Sequence, residues 1–272
     1  MKHIVCYSGG HSSALVAIEV VRKYGTDSVI LLNHDINPKY EHEDIKRFKR
    51  EIADYLELDI TYANILDIAD PEKIPSQFQV CMIAKAFKVS NGMELCTNRL
   101  KTSGFANYLN RISGIDHIIY YGFDANEQDR ILRRRKIISA MGYKSEYPLA
   151  EWDRTIHDTS EVGINKPLTY AQFKHGNCIG CLKAGKQHWY IVFCTRKDVW
   201  EEAKLAEKYI GYTIHPNESL EKLEAQFEAM QQAGIEPTEH IPSAKFWALV
   251  AKTVPGIHFQ QTLDLLPCEC VV

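Results

Sequence analysis

Residues 3–16, HIVCYSGGHSSALV, run from a short apolar strand through a turn of small residues built on Gly9 and Gly10 into an apolar helix start. Glycines let the backbone turn without a Cβ clash, so several N–H groups converge on one point, where the helix N-terminus adds partial positive charge. Ser8, Gly9, Gly10, His11, Ser12 and Ser13 therefore read as a cradle for an anion. The His11 ring either donates to a phosphate oxygen or points outward. A Walker A loop would need GxxxxGK[ST] and a dinucleotide fingerprint GxGxxG, and neither is present. The other reading of these residues is a tight strand-to-helix turn without a ligand.

Outward from this loop, apolar and β-branched runs at 4–7, 28–33, 60–65 and 117–121 alternate with helix-like stretches at 13–24, 43–56 and 102–112. Strands alternating with helices of this length predict an α/β fold, a doubly wound and mainly parallel sheet covered on both faces. Residues 1–155 read as one such domain. Ligands bind such sheets beyond the C-terminal strand ends, near the switch in strand order. The loop, then Asn33, His34 and Asp35, then Gly122, Phe123 and Asp124 are expected to converge there. Residues 156–272 read as an irregular, cysteine-containing segment followed by a helical extension packed on the sheet. Gly163, Pro167, Gly176 and Gly180 interrupt any period before helical spacing returns at 186–194, 198–209 and 220–233. Leu220, Leu223, Phe227 and Met230 form an apolar stripe read as core.

The 272 residues suffice for a substantial core, and the apolar content of 45% with 25% charged residues is that of an ordinary globular protein. Lys and Arg number 32 against 35 Asp and Glu, a net charge of −3, so no global field points to nucleic acid or membrane. A basic patch must be local, and Arg130, Arg133, Arg134, Arg135 and Lys136 form the strongest run. These side chains either grip phosphates or make a solvated helix face. No signal-peptide core or long apolar run is visible, so a cytoplasmic location and no membrane association are expected. GxSxG and HExxH are absent, which disfavours hydrolases of those types.

Cysteine stands at 6, 81, 96, 178, 181, 194, 268 and 270. In a reducing compartment these suggest metal, cluster or redox chemistry rather than disulfides. Cys178 and Cys181 form a CxxC whose two thiolates suit zinc, an iron–sulfur cluster or a redox pair. Cys96 is the expected third ligand, with Cys81, Cys194, His175 or His188 as further donors. Cys6 and Cys194 read as small buried hydrophobes.

Five elements in order carry a resemblance to a known family. Ser8 to Ser13 resembles the SGGxDS signature of PP-loop adenine nucleotide α-hydrolases, with Ser12 at the place of the aspartate. Cys96-Thr97 with Lys101 resembles the CTxxxK element of the phosphoadenosine phosphosulfate (PAPS) reductase family. The stretch Gly122 to Glu127 followed by Arg130 resembles that family's GIRADE-x-x-R element, with Asp124 where arginine is usual and Asn126 where aspartate is usual. YPLAEW at 147–152 resembles YPLxxW, and Cys178 to Cys181 followed by Lys186 to Trp189 resembles the terminal cysteine segment.

The resemblance implies a PP-loop fold and ATP (or PAPS) as bound nucleotide, with Mg²⁺ at the phosphates. The phosphates lie at the glycine loop, the adenine near Leu32 to His34, and the ribose or α-phosphate near Gly122. It makes Cys96 and Arg130 catalytic candidates, and Cys96, Cys178 and Cys181 ligands of a [4Fe–4S] cluster or of Zn²⁺. The implied reaction splits ATP to AMP and pyrophosphate, adenylates a substrate and transfers sulfur to it. A nucleic acid is the implied acceptor class, and a homo-oligomer or a sulfur-donor protein an implied partner. A PAPS or APS reductase, with Cys268 and Cys270 as candidate thiols, is the second reading. A non-catalytic nucleotide- or nucleic-acid-binding subunit is the third, supported by Ser12 and Asp124.

Overall fold

Strand β1, Lys2–Cys6, sends alternate side chains into two different cores: Val5 faces one, and Ile4 and Cys6 the other. That two-residue period with both faces buried is what a central strand of a doubly wound sheet requires. The structure is a computed structural model that describes residues 1–34, 36–63, 68–114, 116–176, 178–216 and 218–254.

After β1 the chain forms α1 (His11–Tyr24), β2 (Val29–His34), α2 (Glu43–Tyr55) and β3 (Ile60–Ala63). Next come α3 (Gln77–Ala84), a π-helical segment Thr97–Thr102 that runs directly into α4 (Ser103–Arg111), and β4 (His117–Tyr120). Then follow α5 (Gln128–Ala140), the short edge strand β5 (Lys144–Glu146) and the single turn α6 (Pro148–Glu151). Beyond an irregular stretch, α7 (Lys186–Thr195), α8 (Lys197–Ile210), α9 (Leu220–Gln232) and α10 (Ser243–Thr253) complete the described chain.

All strand pairs are parallel, in the order β3-β2-β1-β4-β5. The doubly wound α/β fold expected from the alternation is present. The chain leaves β1 toward β2 and returns later to β4 on the other side, so the switch in strand order lies between β1 and β4. Helices α1 and α2 cover one face with Leu15, Ile18, Phe48 and Ile52; α4 and α5 cover the other with Phe105, Leu109, Ile131 and Ile138.

A third core holds the helical extension together. Trp189, Trp200, Phe227 and Phe246 from the last four helices pack with Phe78 and Cys81 of α3 and with Tyr40. The stripe Leu220, Leu223, Phe227 and Met230 is fully buried there, as its spacing predicted. Cys6 is buried too, although at the end of β1 rather than at its middle. Helix α3 was legible from a local signal left unread: Ser76 and Gln79 form a capping box, each side chain accepting the other's backbone N–H.

Two histidines, His215 buried and His42 half-buried, give the fold a defined pH response. Burial pushes His42 and His215 down to about 4 from the ordinary 6.5. The unfolded chain then binds protons that the folded chain does not between about pH 6.5 and 4, so the stability present above pH 6.5 is lost as the pH falls through that window. Urea unfolding at pH 7.5, 6.5, 5.5 and 4.5 is expected to show a plateau above 6.5 and a fall below it, up to about 1.4 kcal/mol per pH unit per histidine. The double variant His42→Gln, His215→Gln should lessen that fall, the remainder coming from His34, which burial pushes down to about 3.

Candidate active site

At the C-terminal end of the sheet, β1 and β4 open around a cleft of about 520 Å³. It is lined by Ser8, Gly10, His11, Ser12 and Ser13 from the first loop, Asn33 from β2, Gly122, Phe123 and Asp124 beyond β4, and Arg130 and Cys178. The topology thus brings together eleven of the expected residues. Asp35 lies outside the described residues, as do Cys268 and Cys270.

The loop is shaped by two close approaches. Gly9 has φ +82, and a Cβ there would fall 2.4 Å from Cγ of the buried Lys49, so Gly9 turns the chain from beneath and does not line the cleft. Gly122 lies against the first turn of α1: a Cβ on it would stand 3.0 Å from the carbonyl carbon of Ser12 and 3.1 Å from the nitrogen of Ser13. Ser13 is buried and braces the turn, its hydroxyl donating to the Gly10 carbonyl at 2.8 Å, while Ser8 donates to the Ser13 hydroxyl at 3.3 Å. Ser12 is exposed. Gly10, at the N-cap of α1, supplies no side-chain acceptor; the His11 amide donates to the Tyr170 hydroxyl at 3.1 Å, and those of Ser12 and Ser13 have no acceptor among the described residues.

Several expected ligands have other commitments. The His11 ring turns toward residues 158–159: Nε2 accepts from the Thr159 amide at 3.4 Å and stands 3.8 Å from Asp158. Burial, with Lys166 nearby, holds it below its ordinary pKa, so the neutral ring braces that segment. Asn33 is buried and donates its amide to the Tyr7 carbonyl. The Phe123 ring is buried in a stack with Tyr121 and Tyr147 at centroid distances of 5.6 and 5.8 Å. Arg130 pairs with Glu127 and lies over the Phe123 ring at 4.4 Å. Arg134 and Arg135 lie over Tyr121 and Tyr147, and Arg135 also pairs with Glu151. Much of the basic run of α5 therefore covers an aromatic stack, which is packing by long cationic side chains.

The three expected metal ligands divide. Cys178 lines both the cleft and an adjoining small cavity of about 30 Å³; Cys96 and Cys181 line only the small cavity. Lys101 lines both and hydrogen-bonds Cys178. Burial works against its ammonium, yet the sulfurs of Cys178, Cys181 and Cys96 raise its pKa above the ordinary value. Burial pushes Cys96 well up, with Cys181 and Cys81 adding to the effect, and pushes Cys181 up to about 11. A half-buried ammonium therefore sits beside the sulfurs of Cys96, Cys178 and Cys181. The π-helical turn explains the juxtaposition. Residues five apart stand roughly 140° apart around an α-helix, whereas the wider i→i+5 turn stacks them, carrying Cys96 and Lys101 to one side.

His34, one of the strand-end residues expected to converge here, lines the cleft too, and so do Lys101 and Tyr170, which were not among the expected site residues. Lys101 stood in the CTxxxK element and was legible there. Burial, together with Lys101 and Arg134, pushes His34 down to about 3, and its buried Nδ1 has no partner among the described residues. Tyr170 lies in an irregular stretch with no local signal.

No family model, curated protein or solved structure matches this chain. No helix among the described residues is long and apolar enough to cross a membrane.

Because the atoms that crowd Gly122 are backbone, they cannot swing aside. Gly122→Ala is expected to lower unfolding free energy by about 1–3 kcal/mol, read as a lower urea midpoint at unchanged slope.

Proposed function

We propose that this protein is an ATP-using enzyme of the PP-loop kind, which adenylates a substrate for sulfur transfer. The observation that carries the reading is the continuity of one cleft from the glycine loop, past Gly122, to Lys101 and Cys178. A cleft at the switch in strand order is where such sheets bind ligands. Its phosphate end offers the amides of Ser12 and Ser13, which have no acceptor among the described residues, and the hydroxyls of Ser8 and Ser12, and its far end offers a thiol.

The polyphosphate of ATP lies at residues 8–13, and Mg²⁺, when bound with it, would supply charge neutralisation on the leaving group. A substrate oxygen attacks the α-phosphorus, the bond from that phosphorus to the bridging oxygen breaks, and pyrophosphate leaves while the amides of the loop hold its growing charge. A sulfur nucleophile arriving from the Cys178 side then attacks the carbon that bears the adenylated oxygen, the carbon–oxygen bond breaks, and AMP leaves with that oxygen. The neutral His34 imidazole and the Lys101 ammonium stand between the two ends and orient what lies there.

Three thiols without a carboxylate are the donor set of zinc or of an iron–sulfur cluster. Cys96, Cys178 and Cys181 are the residues that would hold one, and a cluster would supply a carrier for sulfur. Among the described residues no three such donors stand together as a metal-binding group, and Lys101 lies beside them, so the steps above use the chain's own residues. The reductase reading uses the same cleft with PAPS, and Cys178 is its thiol among the described residues.

The test is product analysis with the full chain, Mg²⁺ and ATP labelled in the α-phosphate, in the presence of pooled nucleic acid as acceptor. AMP and pyrophosphate in equal amounts are expected. Formation of ADP and phosphate, or no binding of ATP at millimolar concentration, would overturn the reading; sulfite release from PAPS would replace it with the reductase.

A further inference from the structure

The segment before the CxxC crosses over the phosphate loop. It begins at Pro167, includes the short turn Leu168–Ala171, and passes Gly176, whose Cβ position lies 3.9 Å from Cα of Gly10. From it Tyr170 reaches into the cleft, and its hydroxyl oxygen accepts the backbone N–H of His11 at 3.1 Å. The same oxygen lies 3.3 Å from the Cβ position of Gly10. A hydroxyl accepts through its lone pairs and donates through a single O–H. Here the lone pair is used on the loop, and among the described residues the proton has no acceptor.

The ring is held there from outside the sheet. Leu168 donates its amide to Asp44 at the start of α2, and His240 contacts the Tyr170 carbonyl. Glu239 donates its backbone N–H to the Gln172 carbonyl at 2.7 Å, and its carboxylate accepts from the Lys174 amide at 3.1 Å. The start of α2 before Tyr170 and the loop ahead of α10 at and after it thus pin this strap on both sides of the ring. A side chain fixed in this way contributes a donor to a ligand without losing much freedom when the ligand arrives.

Resting on the nucleotide reading given above, we infer that Tyr170 is a phosphate-binding residue. Its O–H donates to an oxygen of the terminal diphosphate of the nucleotide at residues 8–13, while the His11 amide holds its oxygen in place. The residue reads the diphosphate and not the nucleoside, so it separates ATP and pyrophosphate from AMP.

Isothermal titration of the wild-type chain and Tyr170→Phe with Mg²⁺-ATP, Mg²⁺-pyrophosphate and AMP tests this. Tyr170→Phe should weaken ATP and pyrophosphate by about 10- to 100-fold, the range for a hydrogen bond to a charged group, and leave AMP within about twofold. Unchanged or tighter binding of ATP and pyrophosphate overturns the inference, since the hydroxyl would then only cap an empty loop. An equal loss for AMP overturns it too, as a general disturbance of the cleft. Should the variant fail to fold, nitration of the wild-type chain mapped by mass spectrometry gives the same decision: pyrophosphate should protect Tyr170 and AMP should not, and equal nitration in both overturns the assignment. A wild-type chain that binds neither ATP nor pyrophosphate removes the nucleotide reading itself, whereas wild-type binding with an indifferent Tyr170→Phe removes this inference alone.

Discussion

The first turn of α1 lies where a side chain on Gly122 would be, with the backbone of Ser12 and Ser13 3.0 to 3.1 Å from its Cβ position. This contact depends on β1 and β4 being parallel neighbours in register, Lys2 opposite His117 through Val5 opposite Tyr120. Their chains leave the sheet on opposite faces, so a gap opens at the strand ends, and its floor is the amide end of α1. If the two strand ends were held farther apart, the loop would keep its shape but lose the wall that makes it a cleft.

What stands across that gap comes from the second half of the chain. The helical extension shares a core with α3 and Tyr40, and that core takes in Ile179 of the CxxC and Leu182 just after it. The Ile179 amide donates to the Tyr40 carbonyl at 2.8 Å, and Gln77 donates to the Ile179 carbonyl at 2.8 Å. Hydrophobic burial in one place therefore sets the position of polar groups in another. Cys178 comes to the rim of the cleft and Cys181 goes behind it because the chain between them is pinned on both sides.

The parts of the fold that were legible bury a patterned face. Val5 and Tyr7 alternate with Ile4 and Cys6, and the strands at 29–34 and 117–120 do the same, so periodicity and both-face burial agree. The edge strand Lys144–Glu146 was not legible, since Lys-Ser-Glu has no apolar side chain and an edge strand needs none on its open side. Helix α5 was hidden by its arginines, whose aliphatic stems and guanidinium planes cover aromatic rings and so do the packing that apolar residues do elsewhere. The π-helical turn carries no compositional sign, because what distinguishes it from an α-helix is one hydrogen-bond offset.

By itself the sequence determined the alternation of strands and helices, the small-residue loop with its positive-φ glycine, and which cysteines were candidates for one centre. These are local matters of side-chain volume, backbone freedom and period. Only the tertiary structure decided that His11 turns toward Asp158 while Ser12 faces solvent, that Cys178 and not Cys96 or Cys181 reaches the cleft, and that Lys101 and Tyr170 belong to the site. Each of those outcomes is set by contacts between residues from 65 to 159 positions apart, and such contacts follow from which buried surfaces fit together rather than from any neighbourhood in the chain.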